Sequence, residues 1–211
     1  MRGILAAVLL REFPGDVVAQ PLERLRTPFD SPEWLYEIKY DGFRGLGYLK
    51  AGEGTLVSRN GNVMRRFRTL AAELAQAISK HRAIVDGEIT CVGPDGRPQF
   101  YDLMFKRSTP VFFAFDLLWL DGEDLRRQPL IARKKRLRLL LGRRKGVLRY
   151  VDATVGDGCA LFAEVCKRDL EGIVAKWADA PYGLLDGRSS WVKIKNRDYS
   201  QARGRHELFA K

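Results

Sequence analysis

The sequence predicts an α+β fold, on three observations. Short alternating or β-rich runs recur along its 211 residues: WLYEIKY, TLVSR, AIVDGEITCV, VFFAFDLLWL, VLRYV, GIVAKW and WVKIK. Six Asp-Gly dipeptides, at 41, 86, 95, 121, 157 and 186, fall between several of them, a turn chemistry that favours antiparallel pairing. Three amphipathic stretches interrupt the runs outside any strict βαβ alternation.

Taken in order, the opening MRGILAAVLL has a basic residue and an apolar run, like a weak signal peptide. Arg11 and Glu12 follow at once without a small-x-small cleavage site, so it is read as the first strand or helix of the mature protein. The segment PLERLRTPFDSPEW, with three prolines, reads as a loop. It leads into a strand carrying Lys39, and Asp41-Gly42 then reads as a hairpin turn before a second alternating run from Phe43. A helix is predicted over about 66–80, where Phe67, Leu70, Leu74 and Ile78 share one face. A second is predicted over about 129–141, with Pro129 in its first turn and Gly142 at its end. A third spans about 158–169, with Leu161, Phe162, Val165 and Cys166 turned inward.

Composition narrows the function. The hydrophobic fraction of 45% is that of a globular chain, not a disordered one. Cys91, Cys159 and Cys166 form no CxxC pair and there are two histidines, so no zinc or disulfide framework is legible. A reducing, cytoplasmic setting fits that usage. No apolar run approaches the ~18 residues of a membrane span. The net charge of +11 suggests a polyanionic partner, most simply nucleic acid. The basic run RKKRLR (133–138) with RRK (143–145) reads either as a solvated helix face or as a phosphate-tracking patch.

Several motifs carry residue types suited to phosphoryl chemistry. Lys39 stands between apolar residues in EIKYDGFRG. SRNG puts Arg59 beside a turn, and VDGEIT puts Asp86 and Glu88 around one. EGIVAK places Glu171 at the head of an apolar strand and Lys176 at its end. WVKIK places Lys193 and Lys195 on one face, two residues apart. A lysine amine is a nucleophile only when deprotonated, and neighbouring cations or a dry pocket favour that form. Lys193 and Lys195 would supply such a field and hold phosphate oxygens. Glu88 and Glu171 are hard oxygen ligands suited to Mg²⁺. Phe113 or Phe115 would stack on a base.

Together, K-x-D-G-x-R, S-R-N-G, D-G-E, F-D-L-L-W-L-D-G, E-G-I-V-A-K and W-x-K-I-K resemble the ordered motifs of the ATP-dependent DNA ligases, within the covalent nucleotidyltransferase superfamily. The chain is most similar to the ligase domain of bacterial end-joining ligases, over roughly residues 20–196. The resemblance implies a covalent nucleotidyltransferase (ATP-grasp-like) fold, with antiparallel sheets flanked by helices and the nucleotide in the cleft between sheets. It implies that Lys39 attacks the α-phosphate of ATP, holds AMP, passes it to a 5′-phosphate and so seals a nick. Glu37 then matches the position beside the adenine. Arg44 and Arg59 match arginines near the AMP and the nick phosphate. Glu88 matches a carboxylate near the ribose and metal, and Phe115 the aromatic on adenine, ahead of Phe113. Val174 lines the other adenine face, Glu171 belongs to the metal site for Mg²⁺ or Mn²⁺, and Lys193 and Lys195 hold the α-phosphate. Asp41 and Gly42 shape the turn that presents Lys39. Lys176 reads as a phosphate contact or a solvated strand end, and Trp191 as core.

The family continues past W-x-K-I-K into an OB-fold, a five-stranded barrel. Only 16 residues follow Lys195, too few at about five residues per strand. The expectation is one adenylation domain over 1–211, with an N-terminal extension (1–20) and a short tail (197–211) in place of the OB-fold. Arg203, Arg205 and His206 would partly substitute for it, or a separate protein would. Expected partners are nicked or broken double-stranded DNA, with no membrane and a monomeric chain. Two other functions stay open: an RNA ligase or RNA end-repair adenylyltransferase, and a catalytically weak DNA-end-binding module that needs a partner chain.

Overall fold

A computed structural model describes residues 9–15, 17–142 and 146–202. RRK (143–145), residues 1–8 of the opening stretch, and Arg203, Arg205 and His206 lie outside the described residues. The strands are β1 (Glu23–Leu25), β2 (Ser31–Ile38), β3 (Phe43–Lys50), β4 (Glu53–Ser58), β5 (Arg82–Thr90), β6 (Val111–Leu120), β7 (Glu123–Asp124), β8 (Leu148–Tyr150), β9 (Ala153–Gly156), β10 (Gly172–Trp177), β11 (Leu184–Leu185), β12 (Arg188–Ser189) and β13 (Trp191–Lys195). The helices are α1 (Arg68–Ala77), α2 (Phe100–Met104), α3 (Leu130–Leu141) and α4 (Gly158–Lys167).

Two sheets form. The first runs β1-β13-β10-β2-β9, antiparallel apart from β1 on β13. The second runs β4-β3-β5-β6-β7, with β8 parallel to β6. The mixed α+β architecture with mainly antiparallel sheets follows the sequence prediction. Alternation decides which way each sheet faces. In the first sheet Tyr36, Ile173, Ala175 and Ile194 pack beneath Val165, Leu161 and Phe162 of α4. The residues between them, Glu37, Val174 and Lys193, are direct neighbours across the ladder and share the opposite face. In the second sheet Leu49, Val85, Ile89 and Phe112 pack under α1 and α3, through Leu70, Leu74 and Leu137. Its other face holds Leu46, Tyr48 and Ile84, covered at one end by Leu9 and Phe13. The two functional faces meet where Leu35, Leu130, Trp191 and Phe115 close one end of a cleft.

Each predicted helix forms, with trimmed ends. The first begins as a 3₁₀ turn at Arg65–Phe67. Pro129 is the cap before α3 rather than part of its first turn, with an extended ψ of 143°. Gly142 ends α3 with φ +59°. Cys166 is only partly buried, whereas Val165 is core. The short α2 has no signature in the sequence, since five residues carry too little periodicity to show.

The Asp-Gly dipeptides divide. Asp121-Gly122 joins β6 to β7 and Asp186-Gly187 joins β11 to β12, all four with positive φ, as a two-residue hairpin turn needs. Asp41-Gly42 is not a hairpin: β2 and β3 belong to different sheets, and this segment crosses between them. Gly42 is required by proximity, since a Cβ there would lie 2.0 Å from the Ile89 carbonyl oxygen. Asp41 is buried and accepts from the Tyr199 hydroxyl at 2.8 Å. Asp86-Gly87 is no turn either, because β5 runs straight through it. There the register against β6 shifts, with Asp86 opposite Asp116 and Gly87 opposite Ala114. Phe115 is the extra residue of that bulge.

Candidate active site

Lys39 follows the last residue of β2 and its backbone N–H donates to Gly172 O at 2.9 Å, extending the ladder by one step. Its Nζ lies 2.5 Å from Glu171 Oε2, and Lys195 Nζ lies 3.0 Å from Glu171 Oε1. Glu171 reaches this side because of Gly172. With φ +147° the chain enters β10 twisted, and a Cβ at Gly172 would stand 2.1 Å from the Ile194 carbonyl oxygen. Burial raises the Glu171 carboxyl, but Lys39 and Lys195 outweigh it and hold the group below its ordinary range. Lys193 stands on the same face; burial, then Lys195, Lys39 and Arg59, push its ammonium down. The pairing of Lys39 with a carboxylate is an addition to the cation field read from the sequence.

Opposite, Arg44, Glu88 and Phe113 are neighbours across β3, β5 and β6. Arg44 grips Asp86 with two bonds, Nε to Oδ1 at 3.0 Å and Nη2 to Oδ2 at 2.6 Å. Its Nη1 donates to Gln20 O at 2.5 Å. The Tyr182 hydroxyl donates to Asp86 Oδ2 at 2.7 Å. Burial pushes the Glu88 carboxyl up to about 8, with Lys39 and Arg44 only partly opposing it. Arg59 is exposed at the rim of a wide cleft shared by Lys39, Arg44, Glu88, Lys193 and Lys195.

A smaller recess opens deeper in, lined by Glu37, Phe115, Val174, Lys176 and Trp191 together with Lys39, Arg44 and Glu88. The bulge re-aims Phe115 into it, whereas Phe113 is stacked on Tyr40 at 3.9 Å between ring centres. Trp191 is core, 1% exposed, as read from the sequence. Lys176 is neither a solvated strand end nor at the phosphate side. It is fully buried, 2.6 Å from Glu37 Oε2, with its Nζ 4.1 Å from the ring centres of both Phe115 and Trp191. Burial, against the attraction of Glu37, brings its ammonium down to about 8.

The basic helix also departs from both readings at two positions. Arg133 is fully buried and forks onto Asp116, Nε to Oδ1 and Nη2 to Oδ2 both at 2.8 Å. Lys134 is buried and donates to Glu37 Oε1 at 2.5 Å and to Val151 O at 3.0 Å. A signal for this was present: Leu130, Lys134, Leu137 and Leu141 repeat at four- and three-residue spacing, so Lys134 falls on the core stripe. Asp86, read as a turn residue, is instead the buried acceptor of Arg44 and Tyr182, and no local pattern marks Gln20 or Tyr182.

Glu88 and Glu171 are the candidate metal carboxylates. No group of three or more His, Cys, Asp or Glu side chains that could hold a metal forms among the described residues. Glu88 on the cleft and Glu171, paired to Lys39 and Lys195, still offer hard oxygens that suit Mg²⁺, which keeps several waters and bridges to phosphate. No helix among the described residues is long and apolar enough to cross a membrane.

The chain is similar to known proteins. The family described as ATP dependent DNA ligase domain matches residues 17–195. The multifunctional non-homologous end joining protein LigD of Mycolicibacterium smegmatis is 36% identical over 173 residues, covering 79% of this chain and 22% of that protein. The SPbeta prophage-derived DNA ligase-like protein LigB of Bacillus subtilis is 29% identical, covering 85% of this chain and 67% of that protein. Among solved structures, mycobacterial DNA ligase D complexed with ATP and MES superposes with a TM-score of 0.75 at 31% identity, over 87% of this chain and 62% of that one. The chain thus spans about a fifth of the length of the LigD proteins it matches.

Proposed function

This chain belongs to the ATP-dependent DNA ligase domain family, and from that premise we propose that it is an adenylation domain, a single unit over 1–211, that activates DNA ends for joining. The observation that carries the reading is the convergence of Lys39, Lys193 and Lys195 from one sheet and Arg44 and Glu88 from the other on one cleft, with Glu171 paired to Lys39 and Lys195.

The base enters the deep recess between Phe115 and Val174, beside Glu37. This leaves the phosphates in the wide cleft, where Lys193 and Lys195 offset charge on the α-phosphate. Lys39 first loses a proton, for which Glu171 Oε2 at 2.5 Å is the nearest acceptor. Its Nζ lone pair then attacks the α-phosphorus. A P–N bond forms, the bond from the α-phosphorus to the bridging oxygen breaks, and pyrophosphate departs. An oxygen of the nick 5′-phosphate next displaces Lys39 from the α-phosphorus, guided by Arg44 and Arg59. The 3′-hydroxyl then attacks the activated 5′-phosphorus, and AMP leaves. Splitting one displacement into easier ones is the gain of covalent catalysis. A divalent cation, Mg²⁺ or Mn²⁺, held by Glu88 and Glu171 would supply charge neutralisation at the phosphates.

The barrel contacts that clamp DNA in the family lie outside the two sheets described, and we assign them to a further domain or a separate chain. The partner is nicked or broken double-stranded DNA, consistent with the net charge of +11. A nick with labelled 5′-phosphate tests the reading. With ATP and Mg²⁺ the wild type seals it, while Lys39→Ala seals only a nick supplied already adenylated. Sealing of the plain nick by Lys39→Ala would exclude the proposed route.

A further inference from the structure

The buried charge network at the deep recess centres on Glu37 and two ammonium groups, with Asp116 near both lysines but itself paired to Arg133. Glu37 meets Lys134 at Oε1 and Lys176 at Oε2. The two lysines are not equivalent. Lys134 stands outside the lining of the recess and makes two directed hydrogen bonds, to Glu37 and to Val151 O, with its Nζ 4.7 Å above the Tyr150 ring. Lys176 lines the recess, and its Nζ, though close to Glu37, makes no directed hydrogen bond. A buried donor without an acceptor is costly. One carboxylate needs one counter-ion, and Lys134 meets that need from behind. That leaves Lys176 able to turn to an acceptor arriving in the recess.

A purine with a 6-amino group offers a matching edge: an exocyclic N–H donor beside a ring-nitrogen acceptor. Guanine presents the reverse, an oxygen acceptor beside a ring N–H. An anionic Glu37 next to a donating Lys176 fits the first edge and repels the second. This fit requires Lys176 to be released from Glu37, hence a second cation on that carboxylate.

We propose that Lys134 is a positioning residue for base selection: as the standing counter-ion of Glu37, it frees Lys176 to donate to the base while Glu37 accepts from its amino group. The inference rests on the reading of the cleft as an ATP site. Without Lys134, Lys176 is held by Glu37 as its sole cation, and the polarity of the edge is lost.

The test uses equilibrium binding, measured by calorimetry on the full chain in a Lys39→Ala background, so that no chemistry intervenes. The probes are ATP, purine riboside triphosphate (which lacks the 6-amino group) and GTP. With Lys134 present, removing the amino group weakens binding by about tenfold or more, as expected for a hydrogen bond to a charged group. With Lys134→Met, ATP weakens by a similar factor and purine riboside triphosphate by far less, so the amino-group preference falls toward one and the margin over GTP narrows. Equal weakening of all three probes, or an unchanged preference, would overturn the proposal. If melting shows that Lys134→Met does not fold, Lys134→Arg decides. It keeps the charge and must keep the preference, and its loss there overturns the proposal too. The two readings fail separately. A wild type that shows the preference but forms no AMP adduct fails the ligase reading alone. One that forms the adduct while Lys134→Met retains the full preference fails this inference alone.

Discussion

Replacing Gly172 by alanine perturbs the site without touching any charged group. A Cβ at this position would lie 2.1 Å from the Ile194 carbonyl oxygen and 2.9 Å from the Lys195 Cα. Such atoms essentially never approach below 3.0 Å, so β10 and β13 must part by about 1 Å there. The backbone also has to leave φ +147°, a region open almost only to glycine, at a cost of about 1–3 kcal/mol. With the lost packing the total comes to about 2–4 kcal/mol, and a chain of this size should melt about 5–15 °C lower. The displacement falls on both partners of the Lys39–Glu171–Lys195 array. A misplacement of about 1 Å can reduce a rate about 100-fold. The assay is single-turnover formation of the AMP adduct with Mg²⁺, run below the lowered melting point. A Gly172→Ala chain that is folded and reacts within threefold of wild type would refute the claim that this twist sets the geometry of Glu171.

Phe115→Ala should weaken ATP binding by about tenfold, the value of a base–aromatic stack, while Phe113→Ala weakens it less because that ring is already stacked on Tyr40; calorimetry compares them. Asp116→Ala leaves the fully buried Arg133 guanidinium without its carboxylate, so denaturant unfolding should show a loss of about 3–5 kcal/mol; a change below 1 kcal/mol would contradict that burial. Lys176 has a folded pKa of about 8 against an ordinary 10.5, chiefly through burial. Between those values the unfolded chain keeps the proton and the folded chain has shed it, so this site's contribution to stability rises with pH. The wild type should therefore gain stability relative to Lys176→Met from about pH 8 to about pH 10.5, and parallel profiles would count against the buried placement.

The sequence made legible what depends on neighbours along the chain. Leu70 and Leu74 declared a helix face by their spacing, and Lys193 and Lys195 declared a shared strand face by theirs. Asp121-Gly122 and Asp186-Gly187 turn as their chemistry favours. What failed depends on partners far away in sequence. Asp41-Gly42 has the same local chemistry as those hairpins, but Gly42 is fixed by the Ile89 backbone. Asp86 looked like a turn residue, yet it is held within β5 by Arg44 and Tyr182. Lys134 and Arg133 looked solvated because their carboxylates, Glu37 and Asp116, lie on strands 97 and 17 residues away. A basic run gives no sign of which of its members find buried anions.

The central claim is that Lys39 is the residue that accepts AMP. The intact mass of the purified chain, before and after incubation with ATP and Mg²⁺ and beside Lys39→Ala, tests it most directly. The account predicts one added AMP on the wild type and none on Lys39→Ala. No adduct with either Mg²⁺ or Mn²⁺, or an adduct that survives Lys39→Ala, would contradict it.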